Sequence, residues 1–186
     1  MYSLCNNKQR HLSHGFTLPE ILIVVFLIGI IASVVVPNFS SSDSKALDVS
    51  TNEVVQAIRY ARNEAIRTNI SHGVSFDIAN KRLRVYWLDT SGTPTAIYDV
   101  RNPIDKKLYQ VNFESDLYPA TLSSVNIKYA VAPVQSFIGF AATTGTPKYN
   151  DLGTIRLLET ATIKIAYRSE ERTISIAPIT GRVTVQ

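Results

Sequence analysis

Among the residues able to do chemistry, Glu20 stands in the least ordinary place. It precedes sixteen residues, Ile21 to Val36, that hold no charge, and the next charged side chain is Asp43. Burying a carboxylate at a bilayer centre costs roughly 2.5–3.5 kcal/mol, and less near the interface. Such a group either rests among headgroups or meets a cation. A terminal amine is cationic below a pKa of about 8 and a carboxylate is anionic above about 4. In apolar surroundings the two attract strongly and suffer if separated.

The remaining candidates are few. After residue 15 the chain has one histidine, His72, and no cysteine, because Cys5 lies before it. No H-E-x-x-H, G-x-S-x-G, P-loop or G-x-G-x-x-G sequence occurs. The expectation is a protein that is not an enzyme and uses no metal or cofactor. His72, beside Gly73, reads as a solvated residue at a helix end, near the last carbonyls. Glu170 and Glu171 read as solvent-facing in a turn. Arg59, Arg62, Arg67 and Arg182 are the basic groups worth weighing. Arg59 and Arg62 flank an apolar stripe, where long stems cover core edges with their heads in water. Arg182 is a candidate nucleic-acid contact, but one arginine supplies one phosphate contact where useful affinity sums several.

These residues need elements to hold them. Phe16 to Phe39 is long enough to span a bilayer if its ends sit in the headgroups, since about 20 mostly apolar residues are required. Ala32-Ser33-Val34 is a poor match to the cleavage site of an ordinary secretory signal. Leu47, Val54, Ile58, Ala61 and Ala65 recur at helical steps and form one narrow stripe, so 44–68 reads as an amphipathic helix continuing the first. Asp43 or Ser44 would cap it if there is a break, and Asn69 and Gly73 end it. From residue 73 the period becomes two. Strands are expected at 74–78, 83–87, 96–100, 109–113, 125–131, 137–140, 154–158, 162–167, 173–177 and 183–185. A polar loop is expected at 143–152. The helical stripe must lie on a sheet, because nothing else is long enough to cover it, so the fold class is α+β.

The chain has 186 residues and a formal charge of +4, of which Lys8 and Arg10 supply two. Those two, against none between Phe16 and Ser42, put the N-terminus in the cytoplasm and the globular part in the periplasm. The polar, basic residues 1–15, followed by Gly15-Phe16-Thr17-Leu18-Pro19-Glu20 and the apolar run, resemble the class III signal of type IV prepilins and type II secretion pseudopilins. The resemblance implies a prepilin peptidase and methyltransferase that cuts between Gly15 and Phe16 and methylates Phe16. It implies that Glu20 pairs with a neighbouring subunit's terminal amine, and that Pro37 kinks the helix. The organisation is then 1–15 leader, 16–39 transmembrane helix half and 40–186 periplasmic domain.

Ala61-Arg62-Asn63-Glu64-Ala65-Ile66 and Ile176-Ala177-Pro178-Ile179-Thr180-Gly181-Arg182-Val183 resemble the GspH/FimT family, as does Phe140 five residues before Gly145. That implies a long N-terminal helix packed on an antiparallel β-sandwich, in a minor pseudopilin, the H-type subunit, at or near the tip of a type II secretion pseudopilus. Its partners would be other pseudopilins or pilins and the inner membrane. The alternative is a minor pilin of a type IV pilus, with DNA as a partner in transformation. Family members that bind DNA carry a second arginine two residues after the terminal Gly-Arg, and that position here is Thr184.

The leader reading has a direct consequence. Mass spectrometry of protein from cells should find a methylated Phe16 at the N-terminus, with residues 1–15 gone. An N-terminus at Met1, or one beyond Val36, would contradict it.

Overall fold

The computed structural model describes residues 16–151 and 153–186, apart from the side chains of 33–42 and 151. They fall into two compact units divided between Ser40 and Ser41. One helix, α1 (Leu18–Thr68), runs through both. The break that Asp43 or Ser44 would have capped is absent. Asp43 instead accepts an ion pair from Arg168 at 2.8 Å. The helix stops at Asn69, whose φ of 57° is the left-handed turn that asparagine tolerates. Thr143 donates a hydrogen bond to the Asn69 side chain.

Eleven strands follow: β1 (His72–Asp77), β2 (Arg82–Asp89), β3 (Thr95–Ile97), β4 (Gln110–Asn112), β5 (Thr121–Tyr129) and β6 (Val134–Gln135), then β7 (Phe137–Phe140), β8 (Lys148–Asp151), β9 (Thr154–Tyr167), β10 (Glu170–Ile176) and β11 (Val183–Val185). They form two antiparallel sheets, ordered β3-β2-β1-β7 with β4 on β2, and β11-β10-β9-β5-β6 with β8 on β9. Register puts apolar residues opposite one another, as in Val74 with Val85 and Ile138, and Ile163 with Val125 and Ile174. Such cross-strand pairs are the unit of sheet stability.

The expected helical stripe is the core face. Leu47, Val54, Ile58, Ala61 and Ala65 have no exposed surface, and Val55 and Ala57 widen the stripe. Between Leu47 and Val54 the same face carries Ser50 and Thr51, both buried. Each hydroxyl donates to the carbonyl four residues back, at 3.2 and 2.8 Å, which satisfies a polar group inside the core. Ser50 also accepts the Ala120 amide at 3.4 Å, tying helix to sheet.

A second link joins the two sheets. Tyr129 on β5 is fully buried and its hydroxyl accepts the Gly139 amide of β7 at 3.0 Å. β7 is the edge of its sheet, so this hydroxyl takes up an amide that no neighbouring strand accepts. Tyr129, Phe137 and Tyr149 stack around the link with centroids 5.1–6.1 Å apart.

The structure corrects several readings. The two strands expected at 154–158 and 162–167 are one strand of 14 residues. Glu159, Thr160 and Ala161 look like a break, but β5 accommodates them through a register shift between Lys128 and Tyr129. The polar loop at 143–152 contains β8, whose Lys148 to Asp151 pair with Leu157 to Thr154. Backbone pairing there does not require apolar side chains. Glu170 and Glu171 are not in the turn, which lies at Arg168 with φ 53°; they begin β10, and Glu171 pairs with Lys164 at 2.7 Å. His72 is not solvated: it starts β1 and is 5% exposed.

Two predictions follow from this packing. In a fragment beginning at Ser41, Ile58→Ala should cost about 2–5 kcal/mol, as buried truncations do. Denaturant unfolding measures this, and an unchanged midpoint would contradict the packing. The second concerns His72, the only histidine in that fragment. Burial pushes its pKa below the ordinary 6.5, against a smaller opposite effect of the hydrogen bond between Nδ1 and the Ile70 carbonyl. The folded state therefore favours neutral imidazole, and the unfolded chain takes up the proton first. Stability is full above about pH 6.5 and falls as pH drops through the depressed folded value. The melting temperature should decline on acidification from about pH 7 to about pH 5, before the carboxylates titrate. His72→Gln should flatten that slope; an equal slope in both proteins would contradict the burial argument.

Candidate functional site

The site begins at the head of α1. Thr17 stands at the N-cap, and its carbonyl accepts the amides of Glu20 and Ile21 at 3.0 and 3.2 Å. Pro19 lies in the first turn, where its missing N–H removes nothing. Glu20 reaches back so that the Thr17 amide donates to its carboxylate at 3.5 Å. This is one of the two contacts of a capping box, Thr-x-x-Glu, with the negative group also at the positive end of the helix dipole. The sequence reading of Glu20 as the partner of a neighbouring subunit's amine overlooked this local role, although the T-x-x-E spacing announces it.

Behind Glu20 the helix is apolar on every side. Ile21, Val24, Phe26, Leu27, Ile28 and Ile31 are all between 46% and 66% exposed. Spacing explains this, since sixteen consecutive uncharged residues leave no polar face for water. Phe16 and Leu18 project further, at 78% and 80%. Among the described residues no helix is long and apolar enough to cross a membrane. The described side chains of the run stop at Ala32, short of the Val36 at which it ends in the sequence. Gly15 lies outside the described residues, as does the side chain of Pro37.

Arg182 lies elsewhere, and it is not alone. The β10–β11 connection is closed by the Ala177 amide donating to the Arg182 carbonyl at 2.9 Å and the Gly181 amide to the Ala177 carbonyl at 3.0 Å. Gly181 has a φ of 64°, and a Cβ there would meet the Arg62 side chain at 3.2 Å. The closed turn sets Arg182 beside the helix, where Arg59, Arg62, Asn63 and Arg182 line one cleft of about 380 Å³. Arg62 is the anchored member: its Nε donates to the Gly145 carbonyl at 3.2 Å. Sequence reasoning weighed these arginines singly, because more than a hundred residues separate Arg62 from Arg182.

A second cavity, of about 360 Å³, lies among Tyr86, Tyr98, Phe137 and Tyr149. Gly73 and Gly139, paired in register, leave room there for the Tyr86 hydroxyl, which a Cβ on Gly73 would meet at 2.4 Å. No cluster of three or more His, Cys, Asp or Glu able to hold a metal occurs among the described residues.

The fold is similar to that of several solved proteins. The minor pseudopilin EpsH from the type II secretion system of Vibrio cholerae superposes with TM-scores of 0.45 and 0.47 in two structures. These are 15% and 14% identical and cover 75% and 77% of this chain and 95% and 94% of theirs. The type IV minor pilin FimU of Pseudomonas aeruginosa superposes with a TM-score of 0.44 at 18% identity, covering 78% of this chain and 91% of its own. No curated protein sequence matches the chain. Residues 10–36, from Arg10 through Glu20 to Val36, do match a family model, that of the prokaryotic N-terminal methylation motif.

Proposed function

We propose that this chain is a membrane-anchored filament subunit, a minor pseudopilin of the H type in a type II secretion system. The carrying observation is the N-terminal segment: a methylation motif whose helix is apolar on all sides and uncovered, headed by the single carboxylate of Glu20. Large exposed apolar surfaces mark interaction sites, and an all-round apolar helix suits a bilayer or a filament core. The same surface serves both, so the subunit can be stored in the inner membrane and then transferred to a filament in the periplasm.

In this reading prepilin peptidase cuts between Gly15 and Phe16, creating an amine at Phe16 that is then methylated. Glu20 lies four residues beyond it, in the first turn of α1. Within one subunit the carboxylate already serves the Thr17 amide; in a filament it faces the terminal amine of a neighbour. Each subunit then offers one cation and one anion to different neighbours. That head-to-tail contact does not close on itself, and open head-to-tail contacts build filaments. The globular unit beyond Ser40 supports the reading through its α+β architecture and its resemblance, in Ala61–Ile66 and Ile176–Val183, to the GspH/FimT family. Incorporation near the tip, with other pseudopilins as neighbours, follows from that resemblance.

Glu20→Gln tests the pairing. The variant should insert and be cleaved normally, because residues 1–15 are unchanged. It should then fail to co-purify with the other filament subunits. Removing one partner of a buried pair costs about 3–5 kcal/mol, which lowers incorporation by a factor of roughly a hundred to several thousand. Wild-type incorporation would reduce Glu20 to its capping role.

A further inference from the structure

The cleft between α1 and the β10–β11 turn is lined by three arginines, Arg59, Arg62 and Arg182. None of the three has a carboxylate partner among the described residues, whereas Arg67 on the same helix is paired with Glu64. Like charges placed together are costly unless an anion joins them. The arrangement is also built. Arg62 passes over Gly181 and Gly145, where an added Cβ would meet its side chain at 3.2 and 3.1 Å, and its Nε is fixed on the Gly145 carbonyl. Arg182 is set by the closed turn, and Arg59 lies three residues before Arg62 on the helix. Asn63 adds an amide at the rim, and Val183 is apolar.

We propose that this cleft is an oxyanion site that takes carboxylates from an acidic segment of a neighbouring filament subunit. The proposal rests on the reading of the chain as such a subunit. Guanidinium forks match carboxylates and bind them through paired charge-assisted hydrogen bonds. The cationic groups converge on one small cleft instead of forming a track. Nucleic-acid affinity accumulates over several phosphates along a strand, and the next cation on this helix, Arg67, is already neutralised by Glu64. A compact anion with one or two carboxylates fits that distribution better than a polyanion. The site would give the filament a polar contact in its globular layer, distinct from the pairing at Glu20.

The test uses the full chain, purified in a non-ionic detergent at fixed ionic strength. Triglutamate, inorganic phosphate and a short single-stranded DNA are titrated separately, with binding read by calorimetry. Triglutamate and phosphate should compete for one site. Arg59→Gln and Arg182→Gln should each weaken triglutamate about tenfold or more, as loss of a charge-assisted hydrogen bond does. The unfolding midpoint should stay unchanged, because Arg59 and Arg182 are exposed. Triglutamate binding that survives both substitutions together would overturn the proposal. DNA binding tighter than triglutamate, lost with the same arginines, would overturn it in favour of a polyanion site. In cells, Arg182→Glu should be cleaved and inserted normally yet co-purify less with other subunits. An uncleaved wild-type chain would instead contradict the filament reading itself, so the two failures are separable.

Discussion

A single helix has to satisfy two solvents, and most of the structure answers to that demand. From Ile21 to Ile31 its side chains are apolar around the whole circumference, so no orientation in water hides them. From Leu47 to Ala65 they are apolar on one face, and that face is fully buried against the sheets. Both patterns lie within α1, which runs from Leu18 to Thr68. The first regime requires a bilayer or a bundle of like helices. The second requires a domain with its own core, and two antiparallel sheets supply it.

The sheets meet the demand economically. Tyr129 spans from one to the other and occupies the amide of an edge strand, which leaves one fewer unpaired donor. Ser50 and Thr51 turn their hydroxyls onto the helix's own carbonyls, so a polar interruption of the stripe does not weaken its burial. At the far end of the stripe, Arg168 and Arg172 on the β9–β10 side reach Asp43 and Asp48 at 2.8 and 3.3 Å. The exposed members of these pairs contribute little each, being screened by water. Their consequence is orientational, because they hold the start of the buried stripe against the second sheet.

Much of this was legible in the residues. The helical stripe, the hairpin of 74–78 with 83–87 and the terminal strand follow from periodicity, because one face of each is buried and register is then strict. What the sequence concealed has physical causes. β8 is a polar strand held by backbone pairing with the exposed start of β9, so it carries no alternation to read. β9 looked interrupted because Glu159 faces solvent and pairs with Lys128 at 3.0 Å across the bulge. His72 looked solvated because it was read as a helix-end residue, yet it opens β1 and is flanked in register by Trp87 on β2 and Phe140 on β7. The candidate sites divided in the same way. The contact of Glu20 with the Thr17 amide depends on local sequence alone, through the T-x-x-E spacing. The arginine cleft does not, since Arg59 and Arg62 meet Arg182 only through the fold.

The central claim is that the Glu20 carboxylate meets a neighbouring subunit's terminal amine once the helix leaves the bilayer. Zero-length crosslinking reads that contact directly. Intact filaments would be treated with a water-soluble carbodiimide, which joins a carboxylate to an amine only when they touch, and the peptides analysed by mass spectrometry. The account predicts an amide between Glu20 and the N-terminal residue of another subunit, absent from protein still in the membrane. Glu20 recovered unmodified from filaments, or joined to a lipid headgroup amine, would contradict it.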